Sequence, residues 1–166
     1  MLLSYRVPRE PSSPRIAIWR KLRRLGVAQI SDGLVALPAD ARTREQLEWI
    51  ADEAAEAGGA ATVWLARPAS MAAERELAQG MADARAAEYR AVLTQAGTAS
   101  SGTLAVRAAA VRRLRGELRR IGRRDFFPPP ERDAARTAVE ALSGPVAGTP
   151  RARPAAERGS EGRVAR

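Results

Sequence analysis

Apolar and polar positions follow two different periods in the first part of the chain. Residues 2–7 form a short apolar run that is typical of a β-strand, and Pro8 ends it. The serines before Pro14 predict a helix N-terminus, because serine caps helices and proline favours their first turn. This helix is expected to end at Gly26. Its apolar face, at helical spacing, comprises Ile18, Trp19, Leu22 and Leu25.

A hairpin and a second helix are expected next. Asp32-Gly33 separates two short apolar runs, and this dipeptide favours a tight turn because both of its residues accept a positive φ. The second helix is expected to begin at Thr43, with Gln46 three residues later completing a capping box, and to end before Gly58. Its buried face comprises Leu47, Ile50, Ala51 and Ala54.

The fourth apolar run, at residues 62–65, completes the order strand, helix, strand, strand, helix, strand. This is the order of the split βαβ, or ferredoxin-like, sandwich. The sequence therefore predicts an α/β (α+β) fold in which residues 1–67 form a ferredoxin-like βαββαβ domain.

Beyond Pro68 the apolar spacing is helical. Residues 71–95 are rich in alanine, a Ser/Gly/Thr run at 97–102 predicts a linker, and residues 103–122 form an amphipathic helix. The apolar side of the alanine-rich helix comprises Leu77, Met81, Ala84, Tyr89, Val92 and Leu93. The apolar seam of the amphipathic helix is close to a heptad repeat and comprises Leu104, Val111, Leu114, Leu118 and Ile121.

The end of the chain divides into a last helix and a tail. A short helix is expected at about 131–142, with Phe126 and Phe127 before it packed on the core. Residues 68–142 thus form a helical extension of the first domain. The Arg/Ala/Pro-rich tail, residues 143–166, has few large apolar side chains, and such a composition predicts disorder.

The charge of the chain is strongly positive and clustered. Lys and Arg number 28 against 19 Asp and Glu, which gives a net charge of 28 − 19 = +9, and Lys21 is the only lysine. One cluster lies on the first helix, and a second, residues 107–125, holds eight arginines against Glu117 and Asp125. The residues expected to contact phosphates are Arg15, Arg20, Lys21, Arg23, Arg24, Arg112, Arg113, Arg119 and Arg120.

The residue types exclude several classes of chemistry. With no His and no Cys, a thiol nucleophile, a disulfide, a Cys/His metal site and a Ser-His-Asp triad are all excluded. Asp32, Asp40 and Asp125 lie in loops and fit turn or helix-end roles better than a catalytic pair. The glycine pair 58–59 precedes a strand, which is the wrong order for a phosphate-binding loop. We therefore expect that the protein is not an enzyme and that it binds neither a metal ion nor a cofactor.

The chain also lacks the patterns of a membrane or exported protein. No stretch approaches the roughly 20 apolar residues of a membrane helix. The N-terminal residues have neither the positive region nor the apolar run of a signal peptide. We therefore expect a cytoplasmic location.

Clustered arginines indicate a polyanionic partner. Phosphates of nucleic acid attract such clusters, because binding releases condensed counterions without reading the base sequence. A solvated helix face, an acidic protein partner and a small tetrahedral oxyanion fit the same arginines, and the sequence leaves these alternatives open. No helix-turn-helix is evident and aromatic residues are too sparse for a base-stacking sheet, so no base specificity is predicted.

Three segments carry a family resemblance through their order and spacing. They are LLSYRVPREPS with RIAIWRKLRRLG within residues 2–26, TREQLEW at 43–49 followed by the glycine pair, and RDFFP at 124–128. Over about residues 2–142 the chain resembles the N-terminal domain of the chromate resistance protein B (ChrB) family. It is also similar to the middle, ferredoxin-like domain of the phenylacetate-degradation repressors.

The resemblance implies a DNA-associated repressor that binds the operator of a chromate-resistance operon and responds to the chromate oxyanion. Family members usually carry a second, C-terminal chromate-resistance domain. The resemblance therefore leaves two alternatives open, that the chain works with a separately encoded domain of this kind or that it regulates something else. We also expect a homodimer, through the sheet edge or the seam from Leu114 to Ile121. The alternative is a helical adaptor module that docks on such a domain or on another acidic partner rather than on DNA.

Overall fold

The computed structural model describes residues 1–144, and the predicted disordered tail lies outside the described residues from position 145 onward. The first six elements are β1 (Leu2–Arg6), α1 (Ser12–Leu25), β2 (Ala28–Ser31), β3 (Leu34–Ala36), α2 (Ala41–Glu56) and β4 (Ala60–Trp64). They are followed by α3 (Met71–Ser100), α4 (Leu104–Gly122) and α5 (Glu131–Ala141). The described part is thus a mixed α+β fold.

The strands form one antiparallel sheet in the order β2-β3-β1-β4. Side chains alternate between the two faces of a sheet, and the paired residues Leu3 and Val35 are buried on the face that α1 and α2 cover. The helical side chains of this core are Ile18, Leu22, Leu47, Ile50 and Ala54. The predicted apolar faces of both helices therefore close one side of the sheet.

Two details of α1 differ from the sequence prediction. The helix begins at Ser12 with Pro11 at the N-cap and no side-chain cap, so the predicted serine cap is wrong. Trp19 was expected on the buried face but is 44 % exposed, and the Arg23 guanidinium lies 4.9 Å above its ring. A cation over an indole ring is favourable without burial, which gives this tryptophan a surface role.

The Asp32-Gly33 hairpin is confirmed between β2 and β3, but only one turn residue has a positive φ. Gly33 has φ 72°, and no non-glycine residue of the described chain has a positive φ. The Gly33 carbonyl accepts a hydrogen bond from the Tyr5 amide at 2.7 Å. A Cβ at this position would lie 2.4 Å from the Tyr5 carbonyl oxygen, so the neighbouring strand itself requires glycine.

The N-terminus of α2 is capped by Asp40 rather than by Thr43. The helix begins at Ala41, two residues earlier than predicted. The Asp40 carboxylate accepts a hydrogen bond from the Thr43 amide at 2.7 Å, and the Thr43 hydroxyl interacts with the Asp40 amide at 3.1 Å. Thr43 is fully buried, and its hydroxyl is satisfied there because it also donates to the Pro38 carbonyl at 2.6 Å. The capping box is therefore formed one turn before the predicted one.

Asp40→Ala is expected to lower the free energy of unfolding by about 1 kcal/mol, because it leaves the Thr43 amide without its acceptor. Gln46→Ala is the matched control, since the sequence pattern gave Gln46 the capping role that the structure gives to another pair. Urea denaturation of both variants measures the difference. An equal loss in the two variants would contradict the Asp40 cap.

Helices α3, α4 and α5 pack around a second core. Its largest fully buried side chains are Tyr89, Val92, Leu114, Ile121 and Val139. Met81 of α3 and Phe126, which follows α4, pack instead against the core around the sheet, whereas Phe127 is 37 % exposed. Side chains from beyond residue 67 thus take part in both cores, and the division of the chain at that residue stays a prediction.

The linker predicted at residues 97–102 is wrong, because α3 continues through Ser100. The hydroxyls of Thr94 and Thr98 donate to carbonyls of the preceding turn at 3.1 Å, which satisfies these polar groups within the helix. Ala96 and Ala99 are buried in the second core. Tertiary packing on this side therefore outweighs the weak helix propensity of the Ser/Gly/Thr run.

The seam of α4 is internal to the chain. Leu114 is 0 % and Ile121 2 % exposed, because the seam packs on α3 and α5, so the expected dimer contact through this face is wrong. Leu104, predicted as part of the seam, is 74 % exposed. On α3, Ala84 is exposed and Arg85 is buried in place of an apolar side chain.

Candidate nucleic-acid interface

Arginines from three helices converge on one cleft, here called the arginine cleft. Its volume is about 830 Å³. The charged residues that line it are Arg42, Arg115, Arg119, Arg120, Arg123, Arg132 and Arg136. Within the described chain no carboxylate lines this cleft, so all of its charged side chains are positive. A cleft of one charge focuses the electrostatic potential and attracts anions.

Helical spacing places most of these side chains. Arg115, Arg119 and Arg123 follow one another at four-residue intervals along α4, so they lie on one face of the helix. Arg132 and Arg136 have the same spacing on α5. Val111, Leu114 and Ile121 of the seam are buried in the core between the three helices. The arginines that α4 and its C-cap contribute to the cleft are exposed to solvent.

Arg42 connects the sheet unit to this helical surface. It lies in the first turn of α2, and its Nη2 atom donates a hydrogen bond to the Arg123 carbonyl at 3.0 Å. That carbonyl belongs to the C-cap of α4, where backbone carbonyls lack helical partners and a cation is stabilising. The contact spans 81 residues of sequence and links the N-terminus of α2 to the cleft.

Few carboxylates neutralise the cleft from outside. Arg132 and Arg136 approach Asp125 and Asp133 only at 4.0 Å. Repulsion among the guanidinium groups is therefore incompletely balanced, and a bound polyanion would relieve it. Arginine is suited to this partner because its planar donor fork pairs with phosphate oxygens in a bidentate manner.

A smaller depression of about 380 Å³ lies beside the cleft and shares Arg42, Arg120 and Arg123 with it. It also contains Arg24 from the end of α1, and two acidic residues, Glu88 and Glu117. Glu88 accepts hydrogen bonds from Arg85 at 2.9 Å and from Arg124 at 2.6 Å, so these two arginines neutralise its charge. The depression extends the positive surface from α4 to α1.

The structure brings together three of the nine residues predicted from the sequence. Arg119 and Arg120 line the arginine cleft, and Arg24 and Arg120 share the depression. Lys21 instead forms an ion pair with Glu53 at 2.5 Å, and Arg113 is hydrogen-bonded to Gln95. The remaining predicted residues are exposed but line neither the cleft nor the depression: Arg15, Arg20, Arg23 and Arg112.

The predicted set of phosphate-contacting residues omitted five of the seven cleft arginines. Arg115 and Arg123 were counted only with the general positive charge around α4, and the others are contributed by α2 and α5: Arg42, Arg132 and Arg136. The four-residue spacing of Arg132 and Arg136 was a usable signal, whereas nothing in the sequence around Arg42 indicated its contact with α4. Arg107, counted with the basic surface of α4, is buried and donates to the carbonyls of Leu142 and Gly144 at 2.8 and 2.7 Å. Its role is to close the end of α5.

The comparison with protein families identifies the relationship of the chain. The model of the family described as Protein ChrB, N-terminal, matches residues 15–148. The chain belongs to this family. The match links it to chromate resistance and spans every residue of the arginine cleft. Searches among curated proteins and among solved structures give no significant match.

A buried hydrogen-bonded pair, Tyr89 and Asp125, lies next to the arginine cleft of this ChrB N-terminal domain. The Tyr89 hydroxyl donates to Asp125 Oδ2 at 2.9 Å, and the Asp125 side chain is 1 % exposed. The same carboxylate oxygen faces Arg132 of the cleft at 4.0 Å. Burial and this hydrogen bond raise the pKa of Tyr89 from 10.0 to about 12. The pair thus anchors the segment between α4 and α5 to α3.

The Tyr89 hydroxyl is expected to ionise only near pH 12, and tyrosinate absorbance during an alkaline titration measures this. Because the folded pKa is raised, the stability that this group contributes is complete below pH 10 and is lost as the pH rises through about 12. Tyr89→Phe should remove the late transition and leave that of Tyr5. A single transition near pH 10 in the native protein would contradict the buried hydrogen bond.

Two negative observations concern the described residues alone. Within residues 1–144, no group of three or more His, Cys, Asp or Glu side chains is arranged to hold a metal ion. In the same part of this ChrB N-terminal domain, none of the helices combines the length and the apolar character needed to cross a bilayer.

Proposed function

We propose that this ChrB N-terminal domain is a DNA-associated transcriptional regulator linked to chromate resistance. In this proposal it holds DNA by contacts between its arginines and the backbone phosphates, and its role is binding rather than catalysis, in the cytoplasm. The observation that carries the proposal is the arginine cleft, in which seven arginines from α2, α4 and α5 meet without a carboxylate.

Phosphate contact explains why so many arginines are useful on one surface. Each contact releases condensed counterions from DNA, so affinity grows with the number of arginines and falls steeply with salt. The depression with Arg24 gives the surface a continuation toward α1, where Arg15, Arg20 and Arg23 are exposed. Such contacts position a protein on DNA, whereas reading of the operator sequence requires contacts to base edges.

Three further parts belong to the same proposal. We infer a ferredoxin-like sandwich, which the element order β1-α1-β2-β3-α2-β4 and the strand order β2-β3-β1-β4 support. We propose a homodimer that pairs sheet edges, since β2 and β4 each have one strand neighbour in the described chain. We also propose chromate as the effector, acting through a chromate-resistance domain or directly on the arginines.

A salt-titrated binding assay of the full chain tests the proposal. The probes are the promoter DNA of its own operon and an unrelated DNA of equal length, each with and without chromate. We expect tighter binding to the promoter, a steep fall in affinity between about 50 and about 200 mM salt, and release by chromate.

Two other results would overturn parts of the proposal. Equal, salt-dependent binding to both DNAs would leave electrostatic association without operator recognition. Absence of binding to either DNA, together with capture of a separately encoded acidic protein, would favour the adaptor role. The ratio of absorbance at the nucleic-acid and protein maxima of the purified chain, before and after high salt, is a simple first check.

A further inference from the structure

A second cleft, here called the sheet cleft, lies on the face of the sheet that α1 and α2 leave open. Leu2, Ala28 and Ala36 line it. They are paired across adjacent strands and alternate with Leu3 and Val35, which face the core. The N-terminal half of α3 forms the opposite wall with Leu77, Ala78 and Met81. The cleft measures about 610 Å³.

Small side chains keep this space open. Ala28 and Ala36 on the sheet and Ala78 on α3 line the cleft, and each contributes only a methyl group where a larger side chain would take up space. At the mouth, Ile30, Met71 and Phe127 remain 43 %, 65 % and 37 % exposed. Apolar surface exposed to water is unfavourable, so an apolar occupant would be stabilised here. The volume lies in the range of roughly 300–1,000 Å³ that small-molecule sites have.

The charged rim of the sheet cleft has an excess of arginine. Arg67 and Arg75 line it together with one carboxylate, Glu74. Within residues 1–144, neither arginine forms an ion pair. Two guanidinium forks beside an apolar cavity match a ligand with one anionic end and an apolar body. The charge of the rim thus complements an anion rather than a cation.

We propose that the sheet cleft binds a small organic anion whose flat apolar body lies between the sheet and α3 and whose carboxylate or sulfonate reaches Arg67 and Arg75. The body contacts the alanines of the cleft, and the anionic group stays at the solvent-exposed rim. This site is separate from the arginine cleft, since the two share no lining residue. The ligand differs from an inorganic oxyanion because most of its contact area is apolar.

Two fluorescent probes of the same shape test the proposal on the full chain. Anilinonaphthalene sulfonate has the apolar body and the anionic group, and N-phenylnaphthylamine has the body alone. We expect the sulfonate to bind one site about tenfold more tightly than the neutral probe, because a charge-assisted hydrogen bond contributes at least that factor.

Variants locate the binding. Arg67→Gln with Arg75→Gln should weaken the sulfonate about tenfold and leave the neutral probe unchanged. Arg9→Gln with Arg44→Gln removes the same charge from exposed positions that do not line the sheet cleft and should change neither probe. Ala78→Phe should weaken both probes, because its ring occupies the cleft. If Ala78→Phe does not fold, the comparison of the Arg67/Arg75 variant with the Arg9/Arg44 control still decides the test.

Three results with the probes and variants would overturn the proposal. They are equal affinity for the two probes, sulfonate binding that survives the Arg67/Arg75 substitutions, and an equal loss in the Arg9/Arg44 control. Probe binding that decreases at higher protein concentration, with a rise in sedimentation coefficient, would also overturn it, because a second copy of the chain would then cover the cleft.

Discussion

Arg115→Gln, Arg119→Gln and Arg123→Gln combined are expected to weaken DNA binding by roughly 500-fold at about 0.1 M salt. The three side chains have four-residue spacing along α4 and its C-cap, and all three line the arginine cleft. Each phosphate contact contributes about 0.9 to the slope of log affinity against log salt, so the slope should fall by about 2.7. Glutamine keeps the helix, because its helix propensity is close to that of arginine.

The measurement is a fluorescence anisotropy titration with duplex DNA at several salt concentrations. Arg6→Gln, Arg9→Gln and Arg44→Gln form the matched control, which removes three charges from exposed positions outside the cleft. The control should keep nearly the full salt slope. Equal losses in the two triple variants would mean that net charge alone attracts DNA and that the arginine cleft has no special role.

Leu114→Ala is expected to lower the free energy of unfolding by about 3 kcal/mol. Leu114 of α4 is fully buried against α3 and α5. Its truncation removes apolar contacts and leaves a cavity, because the neighbouring side chains of a closely packed core relax only partly into the space. The three-helix core also holds the cleft arginines in position. The variant should therefore weaken DNA binding at temperatures where it begins to unfold.

Urea denaturation at two protein concentrations measures this effect. Leu104→Ala on the same helix is the matched control, because Leu104 is 74 % exposed and should change stability by no more than about 0.5 kcal/mol. Because Leu114 is buried within one chain, its substitution should not change how the unfolding midpoint depends on protein concentration. A concentration dependence that disappears in Leu114→Ala would show that a second copy contacts the seam after all.

The order of secondary structure elements was predictable from the sequence, because hydrophobic periodicity is a local property. The three- to four-residue spacing of Ile18, Leu22 and Leu25 and the Asp32-Gly33 turn appear in the structure where the pattern predicted them. Local signals were less reliable at element ends. The Ser/Gly/Thr run at 97–102 predicted a linker, yet burial of Ala96 and Ala99 keeps it helical.

The sequence by itself therefore determined the positive charge of the chain, its residue chemistry and most of the buried positions on α1 and α2. Only the tertiary structure decided which arginines act together. Arg42 donates a hydrogen bond to the Arg123 carbonyl, 81 residues away in the sequence. Arg107 on α4 is buried instead and donates to the Leu142 carbonyl at the end of α5. The sheet cleft likewise has walls from elements that are distant in the sequence, with Ala36 of β3 and Ala78 of α3 among its lining residues. The physical reason is that convergence and burial depend on packing between distant segments, which local periodicity does not record.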